Sequence, residues 1–378
     1  MQMFMRGWPV SDSVNNMHIC LVGPIPPPAG GMANQTRQLK ALLQQDGATV
    51  ELVAVNAPYR PAFAGRIPGV RALFRLIPYI VNLYQAIGRA QVVHIMANSG
   101  WSWHLFAAPA IWISHLRRTA VIVNYRGGHA ETFFAASWRK VHFSLRHASA
   151  VLVPSAFLQQ VFASYDQPCA IVPNILDHTL FYPAAEPKAE QITAPHFIVT
   201  RNLEAIYDVA TAVKAFELMY QQYPQARLTI AGTGPLLAQL QQQVQQSGLT
   251  QAVSFAGRLD TTQMAELYRS ADIMLNSSLV DNSPNSVIEA MACAVPVIST
   301  NVGGIPRLVT DKTDALLIEP GDYQAMFTCA QQLLASPALR QQLVQNGLQN
   351  SSRFHWHIVG RQLAGHYTTA IRAMEHSA

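Results

Sequence analysis

Short runs of consecutive apolar residues recur along the 378-residue chain, separated by longer stretches with helical spacing. His18-Ile-Cys-Leu-Val22, Val50 to Val55, Gln91 to Met96, Val121-Ile-Val, His196 to Thr200, Arg227 to Ala231, Val253 to Ala256, Asp272 to Asn276 and Val295 to Ser299 all read as short buried strands. Ala33 to Gln45 reads as a helix between the first two, and another helix opens near Pro284 between the last two. Strands joined through helices are parallel, so the pattern predicts an α/β fold built from β-α-β units. In such sheets ligands gather beyond the carboxyl ends of the strands.

The pattern is interrupted once. Asn174 to Gln191 is polar and proline-containing and precedes a fresh strand at His196, which predicts an interdomain linker over 181–195. The expected organisation is a disordered leader 1–16, a first domain 17–180, a second domain 196–355, and a closing segment 356–378 that packs back onto the first. The leader is polar and has no apolar run, so it forms no signal peptide. Met17, directly before the first strand, is an alternative start of translation. The uncharged stretch Ala90 to Leu116 is long enough to span a bilayer, but Asn98, Ser99, Gly100, His104 and Pro109 interrupt it. It is expected to form a strand, a loop and a buried helix.

Composition narrows the class further. Half of the residues are hydrophobic and 12% are charged. Cys20, Cys169, Cys293 and Cys329 are scattered without metal spacing or paired framework, which fits a reducing cytoplasm. No cluster of Cys, His and Asp reads as a metal site, and no metal is expected. Residues 1–180 carry fourteen Lys or Arg against six acids, and the remainder twelve against fifteen, so the net charge of +5 arises in the first half. No acid occurs between Glu51 and Glu131, and the basic residues of 60–89 interleave with Phe63, Ile67, Val70, Phe74 and Tyr79. This segment reads as a peripheral contact with a membrane surface, as a core helix with snorkelling arginines, or as a basic groove for an anionic acceptor. No nucleic-acid recognition module accompanies it.

The chemistry concentrates in Asp281-Asn-Ser-Pro-Asn-Ser-Val-Ile-Glu289. Ser283 suits an N-cap and Pro284 the first helical position, which would leave the N–H groups of Asn285, Ser286 and Val287 to face an anion at the positive end of a helix dipole. Glu289 follows Asn285 by four residues and Ser286 by three, so the three share a helical face. Alternatively, Glu289 serves only as a cap or ion-pair partner.

From Phe255-Ala-Gly-Arg258 through Leu267 to Asp272, Asp281 to Glu289, Pro296-Val297, Gly303-Gly304 and Gly321-Asp322, order and spacing resemble the nucleotide-binding half of family 4 glycosyltransferases. The resemblance implies the GT-B fold, two Rossmann-like doubly wound domains facing across a cleft, and a retaining, metal-independent transfer without a stable protein nucleophile. It assigns Asp281 to donor-sugar hydroxyls, Asn282, Ser283, Pro284, Asn285 and Ser286 to sugar and phosphate, Glu289 to the ribose, Arg201 to the diphosphate and Arg258 to the nucleobase region. The family's first Glu is Asp281 here. Its Lys shortly after the Arg is missing from Asn202 to Asp208, so either the pocket tolerates one phosphate contact fewer or other groups such as Asn202 or Tyr207 hold the nucleotide. Its Gly before Pro-Val is Ala294, which suggests altered helix packing. Arg201 has an alternative partner in Glu204.

In the first half, Gly30-Gly31 ends a proline-rich loop after the first strand, and the resemblance places it against the donor's diphosphate and sugar. Arg126-Gly-Gly-His129 follows another strand, and the resemblance makes His129 the candidate for contacting the transferring sugar, the alternative being a purely structural histidine. Arg126 would bind an acceptor phosphate or pair with Glu131. The expected activity is transfer from a nucleoside diphosphate sugar to a hydroxyl acceptor, with a lipid-linked saccharide of surface polysaccharide assembly favoured by the basic, apolar first half. A sugar-nucleotide epimerase and a non-catalytic, transferase-derived binding protein are the alternatives.

Overall fold

The computed structural model describes residues 13–27, 30–58, 71–186 and 189–376, the side chains of 71–73 excepted. The chain divides into two compact units, Met1–Ile175 with Trp356–Ala378, and Leu176–His355.

In the first unit β1 (His18–Gly23), α1 (Gly31–Gln45), β2 (Thr49–Ala54), α2 (Arg71–Ile87), β3 (Val92–Ala97), α3 (Ala108–Leu116), β4 (Ala120–Tyr125), α4 (Ala130–Leu145), β5 (Ala150–Val153), α5 (Ala156–Ala163) and β6 (Ala170–Ile171) follow in order. The six strands form one parallel sheet, β2-β1-β3-β4-β5-β6. Every residue of β3 and β4 is buried, which is why these segments read as unbroken apolar runs: helices cover the sheet on both faces. Alternate side chains of β1 serve two cores. Cys20 and Val22 join Leu83, Ile111, Phe134 and Phe162 on one face, and Ile19 and Leu21 join Leu39 and Leu43 on the other.

The second unit runs through β7 (His196–Val199), α6 (Val209–Gln222), β8 (Arg227–Ala231), α7 (Leu237–Gln246), β9 (Val253–Gly257), α8 (Thr261–Ser270), β10 (Ile273–Asn276), α9 (Asn285–Ala292), β11 (Val297–Thr300), α10 (Ile305–Leu308), β12 (Leu316–Ile318), α11 (Tyr323–Ala335) and α12 (Pro337–Ser352). Its strands are again all parallel, in the order β12-β11-β10-β7-β8-β9. The connections reverse direction between β7 and β10, and in open α/β sheets such a switch point, at the carboxyl ends of the strands, is where ligands bind. The last helix, α13 (Trp356–Glu375), belongs to the first unit, where Leu363 and Tyr367 enter the second of its cores and the Trp356 indole N–H donates to Asp46 at 2.8 Å.

Several expectations need correction. Residues 1–12 of the leader lie outside the described residues, but its end is folded: Val14 is buried among Ile19, Leu43 and Val50, and the Asn16 N–H donates to the Gly47 carbonyl. The segment expected to link the domains belongs to the second unit. Phe181 packs edge-on against Tyr268, Arg269 donates to the Leu180 carbonyl, and Arg340 donates to the Glu190 carbonyl, so the chain leaves the first unit at Ile175.

Of the basic, apolar segment 60–89, residues 60–70 lie outside the described residues, and α2 is a core helix. Tyr79, Leu83, Ala86 and Ile87 are buried, while Ile77, Val81 and Tyr84 form an exposed stripe. Arg89 pairs with Glu51 at 2.6 Å. The uncharged stretch becomes β3, a π-helical turn at Trp103–Ala107 and α3. Among the described residues no helix is long and apolar enough to cross a membrane.

Candidate functional site

The loop after β10 is held from beneath by buried polar side chains. Asn276 donates to the Ser299 hydroxyl at 2.9 Å, the Ser278 hydroxyl donates to Asn276 Oδ1 at 3.0 Å, and the Thr300 hydroxyl donates to the Ser278 carbonyl at 2.6 Å. All four are fully buried, and a satisfied network of this kind fixes one loop conformation. Gly303 and Gly304 close over the loop. A Cβ on either would stand 2.1 Å or less from the carbonyl oxygen of Asp281 or Asn282, and the Gly304 N–H donates to the Asp281 carbonyl at 2.9 Å. Only glycine permits that approach.

Arg201 extends from the end of β7 into the same place. It forms an ion pair with Asp281 through one terminal nitrogen, donates to the Ser286 hydroxyl at 3.2 Å through the other, and lies 4.1 Å over the ring of Tyr207. Its Nε is buried without a partner. The Arg201 and Asp281 side chains are 12% and 10% exposed, so the pair is largely desolvated. Burial raises the Asp281 pKa, against lowering contributions from Arg201, the Asn282 N–H and the Ser278 hydroxyl. Pairing with Glu204, the other option open in the sequence, is not seen: Glu204 accepts from Asn202. At Gly232 a Cβ would meet the Arg201 carbonyl oxygen at 2.0 Å, which explains the Gly-Thr-Gly turn after β8 as the seat of the Arg201 backbone.

The helix start differs from the expected one. Pro284 has extended backbone angles and is the N-cap, so α9 begins at Asn285 with no side chain capping it. Ser283 is therefore a loop residue, and the Val287 N–H, expected to face outward, donates to the Pro284 carbonyl at 3.2 Å. The shift retains Asn282, Ser283, Asn285 and Ser286 around the amino end of α9, beside Arg201 and Asp281.

Glu289, one turn further along, enters a chain of three hydrogen-bonding groups. The Tyr268 hydroxyl donates to its carboxylate at 3.1 Å, and Tyr268 in turn pairs with the Thr200 hydroxyl at 2.8 Å. Burial pushes the Glu289 pKa up to about 7, although the Tyr268 hydroxyl and the Arg201 charge both favour the carboxylate. Tyr268 and Thr200 were not singled out in the sequence. Their signal, a Tyr on the apolar face of α8 and a Thr at a strand end, is common to many cores.

Arg258 is exposed beyond β9, on the same carboxyl edge of the sheet. Gly30, Gly31 and His129 lie in the first unit. Gly30 and Gly31 are exposed at the start of α1, with nothing within 4 Å of an added Cβ, so no close approach within the chain requires glycine there. His129 is the exposed N-cap of α4. Among the described residues, no group of three or more His, Cys, Asp or Glu that could hold a metal ion is assembled.

Ala294 has φ of +58° in the turn that ends α9, where the Val295 N–H donates to Ala290 and the Ala294 N–H to Met291. This is a left-handed helix stop that favours glycine. The substitution read from the sequence as altered packing is therefore a strained backbone.

Comparison with known proteins agrees with this layout. Residues 29–180 match the family described as Glycosyltransferase Family 4, and residues 185–350 match Glycosyl transferases group 1. The D-inositol 3-phosphate glycosyltransferase 2 of Catenulispora acidiphila is 32% identical over 127 residues, covering 33% of this chain and 29% of that protein. Across the first four curated relatives the match spans between 28% and 51% of their lengths. Sucrose-phosphate synthase from Thermosynechococcus elongatus superposes with a TM-score of 0.71 at 21% identity, covering 95% of this chain and 99% of that one. HepE from Anabaena, solved with UDP and glucose, has a TM-score of 0.71 at 18% identity over 92% and 98% of the two chains. At these identities the solved structures establish the fold.

Proposed function

The chain belongs to the family 4 glycosyltransferases of the GT-B fold, and from that premise we propose that it transfers a sugar, with retention, from a nucleoside diphosphate sugar to the hydroxyl of a lipid-linked saccharide at a membrane surface. The observation that carries this reading is the meeting of Arg201, Asp281, Ser286 and Glu289 at the switch point of the second unit's sheet.

In this reading the diphosphate rests against the amino end of α9, where the helix dipole and Arg201 stabilise negative charge. A nucleoside diphosphate and Asp281 compete for one guanidinium. Binding hands Arg201 to the phosphates and frees the Asp281 carboxylate for donor-sugar hydroxyls, while Glu289 accepts from the ribose. During transfer the bond from the anomeric carbon to the diphosphate oxygen breaks, the acceptor oxygen bonds to that carbon on the same face, and the acceptor's proton passes to the leaving phosphate. Charge accumulates on the diphosphate as the bond breaks, so Arg201 contributes most in the transition state. Neutralisation by Arg201 and the helix end, without a metal cofactor, belongs to this reading. So do contact of His129 with the transferring sugar, of Gly30-Gly31 with the diphosphate, and of Arg258 with the nucleobase.

Support for the donor class comes from HepE, solved with UDP and glucose, and support for a hydroxyl acceptor from the relative named for D-inositol 3-phosphate. Peripheral attachment to the cytoplasmic face of a membrane is supported by the stripe Ile77, Val81 and Tyr84, with the Arg117 guanidinium 4.4 Å above the Tyr84 ring.

A thermal-shift screen of UDP, GDP and ADP tests the reading. One of the three should raise the melting temperature of the wild type and fail to do so for Arg201→Met. No shift with any of them would overturn it.

A further inference from the structure

Arg126 stands at the carboxyl end of β4, in the first unit, and its surroundings contain an imbalance. Its Nε donates to Asn124 Oδ1 at 3.2 Å and a terminal nitrogen donates to Asn174 Oδ1. Both partners are neutral amides. Glu131, the partner that the sequence offers, is exposed, and no carboxylate among the described residues pairs with this guanidinium. Burial alone acts on Arg126, lowering its pKa to about 10. A partly buried cation without a counter-ion is costly, and proteins rarely keep one for stability.

The side chain is also held deliberately. Asn124 directs its oxygen to Arg126 because its Nδ2 donates to His94 Nε2 at 3.2 Å, and the remaining His94 N–H donates to the Tyr367 hydroxyl at 2.7 Å. His94 stays neutral, its pKa lowered to about 3 by burial and by the nearby Arg126 charge. Asn124, His94 and Tyr367 are almost fully buried, and Tyr367 comes from α13. The network supplies orientation and no negative charge. Beyond Arg126 the chain turns through Gly127-Gly128 into the amino end of the sixteen-residue α4, so a second positive pole opens in the same turn.

We propose that Arg126, aimed by Asn124 and Asn174 beside the Gly127-Gly128 turn, is the anion-binding residue of the acceptor site, taking a phosphate or carboxylate carried by the acceptor. The inference rests on the reading of the chain as a transferase, which gives the donor to the second unit and leaves the first for the acceptor. A phosphate or carboxylate matches the forked guanidinium in two parallel hydrogen bonds, and supplies the missing charge.

The test uses inorganic phosphate as the probe on the full chain, in thermal-shift titrations with and without a saturating nucleoside diphosphate. With nucleotide already bound, phosphate should further stabilise the wild type. Arg126→Gln should weaken phosphate about tenfold to a hundredfold and leave nucleotide affinity within about twofold. Asn174→Asp places a carboxylate beside the guanidinium. It should melt higher than wild type without phosphate and lose the phosphate response, an outcome that a merely structural arginine would not give.

The proposal is overturned if Arg126→Gln responds to phosphate as the wild type does, if the wild type shows no phosphate response, or if the substitution weakens the nucleotide instead, which would assign Arg126 to the donor's diphosphate. Absence of any nucleotide response in the wild type would sink the donor reading alone, since the phosphate comparison without nucleotide still decides the role of Arg126.

Discussion

Arg201 and Asp281 clasp each other across the point where the second sheet reverses its strand order, one extending from the end of β7 and the other from the loop after β10. Eighty residues of sequence separate them. Each is the other's counter-ion in a desolvated site, so removing either leaves a buried charge unpaired.

Asp281→Asn should therefore destabilise the unliganded protein, by about 3 kcal/mol. A nucleoside diphosphate would replace the lost counter-ion and stabilise this variant more than it does the wild type, although transfer would be lost. Urea unfolding with and without nucleotide measures both effects. An unchanged midpoint in the unliganded variant would show that the pair does not hold the loop.

Glu289 gives a pH dependence of definite sign. Its folded-state pKa of about 7 lies above its ordinary value of 4.5, so between these values the folded protein binds more protons than the unfolded one. Stability should fall as pH rises through that window, by about 3 kcal/mol in total. Nucleotide affinity should rise over the upper part of it, because the ribose needs the carboxylate. Glu289→Gln should flatten both curves. Thermal melts between about pH 4.5 and pH 7 check the stability, and calorimetric titrations of nucleotide between about pH 6 and pH 8.5 check the affinity.

Tyr268→Phe removes the donor to the Glu289 carboxylate and leaves the Thr200 hydroxyl without its partner. The loss should cost about 1 to 2 kcal/mol of stability. It should also move the pH profile of nucleotide binding to higher pH, since the carboxylate loses a hydrogen bond that favours it. A profile at the wild-type position would show that Tyr268 only fills space.

Ala294→Gly should stabilise the protein by up to about 1 kcal/mol, because relief of the left-handed strain outweighs the added freedom of the unfolded chain. Thermal melting suffices to measure it. A loss of stability would mean that the Ala294 side chain contributes packing greater than the strain.

Replacing Ile77, Val81 and Tyr84 together by Ser should reduce sedimentation with vesicles containing phosphatidylglycerol and leave nucleotide binding unchanged, since all three residues point away from the core of the first unit. Equal sedimentation of variant and wild type would remove α2 from the membrane contact.

The unbroken apolar runs announced parallel sheets because a strand covered on both faces needs no alternation, and the nine strands read from those runs lie within two residues of their predicted bounds, whereas the short strands β5, β6 and β12 were not read. What the pattern missed depends on long-range contacts. Val14 and Phe181 sit in polar-looking segments and are buried only because distant residues come to meet them. In the site, the position of Glu289 on one helical face with Asn285 and Ser286 was legible from spacing, and Arg201 and Asp281 through the family resemblance, but the mutual pairing of the last two was not, since local sequence offered Glu204. Tyr268 and Thr200 resemble ordinary core residues until their hydroxyls are traced to Glu289. The lack of a carboxylate at Arg126 likewise emerges only in the structure, where Glu131 is exposed and Arg126 pairs with Asn124 and Asn174 instead.

A crystal structure of the chain with bound nucleoside diphosphate tests the central claim most directly. The account predicts phosphate oxygens about 3 Å from the Arg201 guanidinium and the Ser286 hydroxyl, at the amino end of α9, with Asp281 released from the arginine. A diphosphate bound elsewhere, with the pair between Arg201 and Asp281 intact, would contradict it.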